Sequence, residues 1–446
     1  MDNNPRHDDS GHTTKAQDHL LRRDRHLQAF CEGEPETFDP TFQAILEQAY
    51  RLKEEGRISE IYSLLVEHAH LPRSSYQETR TNYLFGEYYA AMEQELDKQE
   101  IPEHERQQDY LGKAADHYAR AADIAREIPD MALCAQLKAM ECRVCYFSHP
   151  NRKRYRRALE AAKAALEAWK QLPDRMIATD MEVGFTLGDL LATCAQLVGD
   201  DVEAVQGLNY ARQCLKDVQN RPDCDVVRYA NNELFLDWNL TYLDISNGRY
   251  REAFKKAREM RKRGLELLTN RNRARFQYHI ANIMLAYASD GGIGDYSLMR
   301  LVAASERATT DAYKWDEAAR RVGKGDRATR ALILLAEARW MALKEKPRTK
   351  QSERTAKIEE ALQIALLLDD TLLLGQVEIA WGDEYAVQWA RRPSEAKKRR
   401  VEMHYLRAMA TFEQVDALSL ARIARTRLEQ FRNPASGQSG QPPSEK

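Results

Sequence analysis

The amino-acid sequence predicts an all-α protein, an α-solenoid of about eight antiparallel helix pairs that ends in a C-terminal capping helix. The chain holds only 20 glycines and 14 prolines among 446 residues, below the roughly 12% that these two residues usually make up. Helix-forming residues fill most other positions, and apolar residues recur at spacings of three and four, the period of an amphipathic helix. Helix breakers, finally, recur at regular intervals along the chain.

These breakers divide the chain into pairs of helices. Proline inside a helix removes a hydrogen bond and clashes with the preceding turn, so prolines and Gly-rich or Asn/Asp-rich stretches indicate turns. One set of turns is predicted near residues 56, 102, 150, 200, 248, 292, 348 and 393, at intervals of about 48 residues. A second set near 72, 129, 173, 222, 270, 325 and 370 falls between them. Eight helix pairs follow, with a last helix from Asp416 to Phe431 as the cap.

The helical array is predicted to span residues 39–432. Residues 1–38 and 433–446 are polar and unperiodic, a composition typical of disordered tails. The first residues lack the apolar stretch of a signal peptide, and no run approaches the roughly 18 apolar residues of a membrane span. The seven scattered cysteines agree with reduced thiols rather than with a disulfide framework. We therefore expect a cytoplasmic protein that does not associate with a membrane.

Within the predicted pairs the residue pattern resembles the tetratricopeptide repeat, whose signature is W-x2-L-G-x2-Y in the first helix and A-x3-F in the second. The clearest copies are Gly248-x-Tyr250-x-x-Ala253-x-x-x-Ala257, Leu187-Gly188-x-x-Leu191 with Ala204, Leu208 and Ala211, and Trp381-Gly382-x-x-Tyr385 with Tyr405, Ala408 and Phe412. The period in this sequence, about 48 residues, is longer than the usual value of about 34 residues. Phrases such as ALEAWKQLPD and ALQIALLLDD are similar to the degenerate repeats of bacterial regulatory and signalling proteins.

The resemblance implies a binding protein, with the inner faces of the first helices as its binding groove. Its partner would be another protein or a peptide, and the chain would act as a scaffold, an adaptor, or the sensor or regulatory subunit of a bacterial multi-protein system. Amide and aromatic side chains at groove positions suit an extended peptide. The positions that match the family's groove are Tyr50, Tyr83, Glu87, Asp189, Asn239, Tyr242, Asn282, Arg339 and Asp383.

No motif in the sequence indicates catalysis or a cofactor. Cys142-x-x-Cys145, with Cys134 and His149, is half of a zinc signature, because the second pair of ligands is missing. Cysteines at i and i+3 face the same side of a helix, so we interpret them as core thiols and expect no metal. The carboxylate pairs Asp200-Asp201 and Asp369-Asp370 lie at turns, where they can cap helices. We expect no enzyme activity.

Nucleic-acid binding is the alternative function. Charge is distributed unevenly, with 17 Lys and Arg against 28 Asp and Glu in residues 1–150 and an excess of basic residues after them. Basic runs occupy residues 151–157, 255–263, 344–350 and 391–400. Three of them lie at predicted turns between first and second helices, so they would share one edge of the solenoid and could contact phosphates. Within the first and last of these runs, the basic edge consists of Arg152, Lys153, Arg154, Arg156, Arg157, Arg391, Arg392, Lys397, Lys398, Arg399 and Arg400. Acidic residues at intervening turns interrupt it, so a protein or peptide partner is favoured.

Overall fold

The computed structural model describes residues 40–98, 108–128, 130–146, 154–173, 181–221, 224–264, 268–289, 298–323, 325–344 and 351–433. Of these residues 88% are helical, and none lies in a strand. The predicted all-α fold is therefore confirmed. The predicted N-terminal tail and nearly all of the C-terminal tail lie outside the described residues. Within the described ranges, no helix is long and apolar enough to cross a membrane.

Seventeen helices are described. They are α1 (Pro40–Glu54), α2 (Ile58–Glu67), α3 (Ser75–Lys98), α4 (Tyr110–Glu127), α5 (Met131–Tyr146), α6 (Tyr155–Lys170), α7 (Met181–Val198), α8 (Asp201–Gln219), α9 (Val226–Ser246), α10 (Tyr250–Gly264), α11 (Asn270–Ser289), α12 (Leu298–Arg321), α13 (Arg327–Leu343), α14 (Gln351–Leu368), α15 (Thr371–Arg391), α16 (Glu395–Gln414) and α17 (Leu418–Arg432).

Successive helices pack against each other in chain order, and the strongest contacts join the two members of a pair, such as α7 with α8 and α15 with α16. The odd-numbered helices from α1 to α15 are the first helices of eight pairs, and the even-numbered helices are the second helices. Helix α17 packs on α16 as a ninth first helix without a partner among the described residues. Both the predicted number of pairs and the capping helix are confirmed.

The turns form where the sequence places helix breakers. Asp200 and Asp370 precede α8 and α15, and their side chains accept hydrogen bonds from the backbone N–H of Glu203 at 3.1 Å and of Leu373 at 2.9 Å. These bonds satisfy donors that a helix leaves free at its start. Helix capping therefore explains both carboxylates, as the sequence predicts.

Small residues allow the paired helices to approach closely, as in the repeat that the sequence resembles. In α7, a Cβ atom at Gly188 would lie 2.8 Å from the backbone oxygen of Gly207 in α8 and 2.8 Å from the backbone nitrogen of Ala211. Larger side chains at these positions would force the two backbones apart. The second-helix residues Ala253, Ala257, Ala408 and Phe412 are all buried, as expected of positions between neighbouring helices.

The array also turns back on itself. Helix α17 contacts α7 and α9, which lie some 200 residues earlier in the chain. Arg422 of α17 donates from Nη1 to Asp201 Oδ2 at 2.9 Å and from Nη2 to the carbonyl oxygen of Gly199 at 3.2 Å. Tyr155, at the start of α6, is buried in one hydrophobic cluster with Tyr405 and other residues of α15 to α17. We call this set of contacts between α17 and α6 to α9 the closure contact.

Candidate binding site on the first helices

The predicted groove residues lie on the first helices, where they make contacts between neighbouring elements. At the N-terminal end, the rings of Tyr50 on α1 and Tyr83 on α3 stack with their centroids 6.4 Å apart. Glu87, one turn further along α3, pairs with Lys53 Nζ at 2.8 Å and accepts a hydrogen bond from the Tyr118 hydroxyl at 2.7 Å. This N-terminal set is therefore held within the first two helix pairs.

A second set joins α7, α9 and α11. Asn239 Nδ2 donates to Asp189 Oδ1 at 2.8 Å, and Gln196 donates to the backbone oxygen of Asn239 at 3.0 Å. Tyr242, about one turn after Asn239, lies against the buried His279 of α11, with ring centroids 3.9 Å apart. Consecutive first helices are thus linked through the predicted residues themselves.

The third set joins α11, α13 and α15. Arg339 donates from Nη1 to Asn282 Oδ1 at 2.6 Å, and its Nε lies 3.2 Å from Asp383 Oδ2. Asp383 also accepts a hydrogen bond from the Tyr405 hydroxyl at 2.7 Å. A continuous row of polar contacts therefore runs from α11 to α16.

Three residues that the sequence analysis did not identify complete these two sets. Tyr146 of α5 interacts electrostatically with Asp189 and Tyr242. Tyr278 of α11 interacts in the same way with Tyr242 and Arg339, and Arg427 of α17 places a second positive charge near Arg339. The inner cluster, as we name it, consists of Tyr146, Asp189, Asn239, Tyr242, Tyr278, Asn282, Arg339, Asp383 and Arg427. Of these three residues, only Tyr278 could have been predicted from the sequence, because it lies one helical turn before Asn282.

The inner cluster combines access to water with burial of its ionisable groups. Tyr242 leaves 38% of its surface exposed, yet the protein around it raises the pKa of its phenol. Burial also raises the pKa of the half-buried Asp189 from 3.8 to about 6. Both side chains are therefore surrounded by protein on several sides while water still reaches them.

Among the described residues, Asp189 is a carboxylate without a counterion. The one hydrogen bond that it accepts within them comes from the neutral amide of Asn239. An ionised carboxylate away from bulk water is unfavourable unless a cation accompanies it. The site is therefore suited to a ligand that brings a positive charge.

We expect Asp189 to make the folded protein less stable as the pH rises. Its pKa is higher in the folded than in the unfolded state, so folding favours the protonated form and stability falls as the pH rises from about 4 to about 6. Asp189→Asn should remove this loss and stabilise the protein at pH 7 by about 2 kcal/mol, after allowance for partial exposure. Urea unfolding at pH 4 and pH 7 measures the difference.

Asp383→Asn is the matched control, because its carboxylate pairs with Arg339 and its loss should destabilise the protein at pH 7. If Asp189→Asn lowered stability at pH 7, Asp189 would instead have a favourable ionic partner.

The basic edge is largely engaged in contacts within the protein. Arg154 pairs with Asp109, and Arg156 lies 3.5 Å from Asp416 across the closure contact. Arg157 pairs with Asp116 at 2.7 Å and with Glu141 at 2.8 Å. Arg152 and Lys153 lie outside the described residues.

The second half of the basic edge is only partly engaged. Lys397 donates to the backbone oxygens of Gln388 and Arg392, and the Arg400 guanidinium lies 5.5 Å from the centroid of the Tyr385 ring. Arg391, Arg392 and Arg399 are exposed, and Lys398 is half-buried. The basic residues with the most accessible charge thus lie around the turn between α15 and α16.

The cysteine motif belongs to the core of α5 to α7. Cys134, Cys142 and Cys145 are buried, and Cys142 Sγ lies 3.6 Å from Cys194 Sγ on α7. Burial raises the pKa of the Cys145 thiol to about 12. His149 lies outside the described residues, and within them no three His, Cys, Asp or Glu side chains are grouped as metal ligands. The thiols therefore pack as apolar core groups.

Comparisons with known proteins show similarity at the level of structure only. No family model and no curated protein matches the sequence. Similar solved structures include a Rap protein complexed with competence and sporulation factor, with a TM-score of 0.41 and 12% identity over 89% of this chain and 99% of that chain. The apo form of RapI has a TM-score of 0.41 and 11% identity over the same shares of the two chains.

Proposed function

We propose that this protein is a helical-repeat adaptor that binds a protein segment or a peptide at the inner cluster, as a sensor or regulatory subunit of a bacterial multi-protein system. The observation that carries the proposal is the carboxylate of Asp189, which has no ion-pair partner among the described residues and lies beside the tyrosines of the inner cluster. A cationic side chain or amino group on the ligand would neutralise this carboxylate. The rings of Tyr146 and Tyr242 would contact the same cation through cation–π interactions.

The two asparagines of the inner cluster support an extended backbone as the ligand. Asn239 uses its amide nitrogen for Asp189, so its Oδ1 has no partner among the described residues. Asn282 uses its Oδ1 for Arg339, and its Nδ2 hydrogens have no acceptor among the described residues. One free acceptor and one free donor group match the N–H and C=O groups that an extended peptide presents on its edges.

The charges disfavour a nucleic acid at the inner cluster. Asp189 would repel phosphates, and the arginines of the basic edge at residues 154 to 157 already pair with carboxylates. Binding along the exposed residues near the α15–α16 turn remains the alternative, and it predicts a steep loss of affinity with salt.

A titration with labelled octapeptides tests the proposal. Each peptide carries one Arg between apolar residues, and a matched set carries Glu in its place. We expect the Arg peptides to bind at least tenfold more tightly than the Glu peptides. Asp189→Asn should weaken their binding at least tenfold even though it stabilises the fold, so that lost binding cannot be attributed to unfolding.

Asp217→Asn is the control, because it removes a carboxylate from the exposed side of α8 without touching the inner cluster. Equal binding of both peptide sets, or binding that Asp189→Asn leaves unchanged, would refute the proposal. Tight binding of labelled RNA or DNA that Arg392→Ser and Arg400→Ser together abolish would establish the nucleic-acid alternative.

A further inference from the structure

Helix α16 carries a second apolar stripe in addition to the one that it buries. Its buried stripe consists of Val401, Tyr405, Ala408 and Phe412. On the opposite side, Met403 and Leu406 leave 37% and 47% of their surfaces exposed. With Ala410 they form a row at helical spacing, which we name the outer stripe. A helix that is apolar on two sides exposes one apolar face that packing within the protein does not bury.

The charges around the outer stripe are not balanced. Glu402 pairs with Arg432 of α17 at 3.0 Å, and Glu413 pairs with Arg425 at 3.3 Å. Arg399 and Arg407 are exposed and have no ion-pair partner among the described residues. The outer stripe and these residues share one outward face of α16, formed by Arg399, Glu402, Met403, Leu406, Arg407 and Ala410. This face is therefore apolar at its centre and positive at two points along it.

We propose that the outer stripe docks an amphipathic helix of a partner protein, with an apolar face and acidic flanks. Arg399 and Arg407 are eight residues apart, or about 12 Å along α16 at 1.5 Å per residue. A partner helix would match them with two carboxylates seven or eight residues apart, on either side of a Leu- or Met-rich face. This surface is separate from the inner cluster, so an adaptor of this kind would hold two partners at once.

The charges disfavour the other occupants. If α16 of a second copy paired antiparallel about Met403, Arg399 of one copy would lie opposite Arg407 of the other. In a parallel pairing, each arginine would lie beside the same arginine of the other copy. Like charges would meet in both arrangements. Residues 434–446 of the same chain contain three prolines and no Leu, Ile, Val, Phe or Met, so they cannot provide an apolar helical face.

Two designed 18-residue helical peptides test the proposal by fluorescence anisotropy. Both carry Leu at helical spacing, and one has Glu and the other Lys at the flanking positions. We expect the wild-type protein to bind the Glu peptide at least tenfold more tightly. Met403→Ser with Leu406→Ser should weaken this binding at least tenfold, and Arg399→Glu with Arg407→Glu should reverse the preference toward the Lys peptide.

Val202→Ser with Val205→Ser, which changes two exposed apolar residues on α8, is the matched control and should leave binding unchanged. All of these positions are exposed, so melting temperatures should stay close to the wild-type value. Equal affinity for both peptides, or a preference that the arginine variant does not reverse, would overturn the proposal. So would self-association in analytical ultracentrifugation that the Met403 and Leu406 variant abolishes, since a second copy would then be the occupant.

Discussion

Glu384→Ala is expected to lower the free energy of unfolding by about 3 to 5 kcal/mol. Glu384 of α15 and Arg354 of α14 form a bidentate ion pair, with Nε to Oε2 at 2.7 Å and Nη2 to Oε1 at 2.9 Å. Their side chains are only 2% and 1% exposed, and Gln388 donates a further hydrogen bond to Glu384 at 3.0 Å. Removing the carboxylate would leave a guanidinium buried without a counterion, which costs far more than the loss of a surface ion pair.

The matched control replaces both partners. Arg354→Met combined with Glu384→Leu leaves no buried charge, so the double variant should be markedly more stable than Glu384→Ala alone. Chemical denaturation of the three proteins under identical conditions gives the comparison. If the double variant lost as much stability as the single one, packing rather than the unpaired charge would be the cause.

Phe412→Ala is expected to cost about 3 to 5 kcal/mol as well, because it opens a cavity at a fully buried position. The ring packs against α15 so closely that a Cβ at Gly375 would lie 2.6 Å from Phe412 Cζ. It belongs to the hydrophobic cluster that also holds Tyr155, Val401 and Leu428. The surrounding helices are fixed on several sides, so the cavity cannot readily collapse.

Phe412→Leu is the control for this position. It keeps most of the apolar volume and should cost about 1 kcal/mol. The denaturation midpoints of the two variants measure the difference. An unchanged midpoint for Phe412→Ala would contradict the buried position of this ring in the last helix pair.

The sequence predicts the helix pairs well because their ends are determined locally. Asp370 is one such signal, since its side chain caps α15 at the turn that the Asp-Asp pair predicts. The ion pair of Arg354 and Glu384 was not predictable in this way. Both residues lie in helices with many charges, and only the packing of two helices decides which charged side chain is buried.

The candidate site likewise contains some residues that local sequence predicts and others that only helix packing brings together. The tetratricopeptide pattern identified Asp189, Asn239 and Asn282 from their positions within single repeats, and their role in binding remains a prediction. Tyr146 and Arg427 could not be identified, because only the packing of separate helices brings them close to the other residues. No motif within a single repeat encodes this packing.

The closure contact changes how this array should unfold. In an open array each repeat touches only its neighbours, so unfolding can begin at an end and proceed unit by unit. Here Arg422 and the cluster around Tyr155 join the last helices to the third and fourth pairs. Fraying of α17 would therefore remove support from the middle of the chain as well. We therefore expect the pairs between the two ends of this contact to unfold as one cooperative unit, and the C-terminal cap to stabilise repeats far from it in sequence.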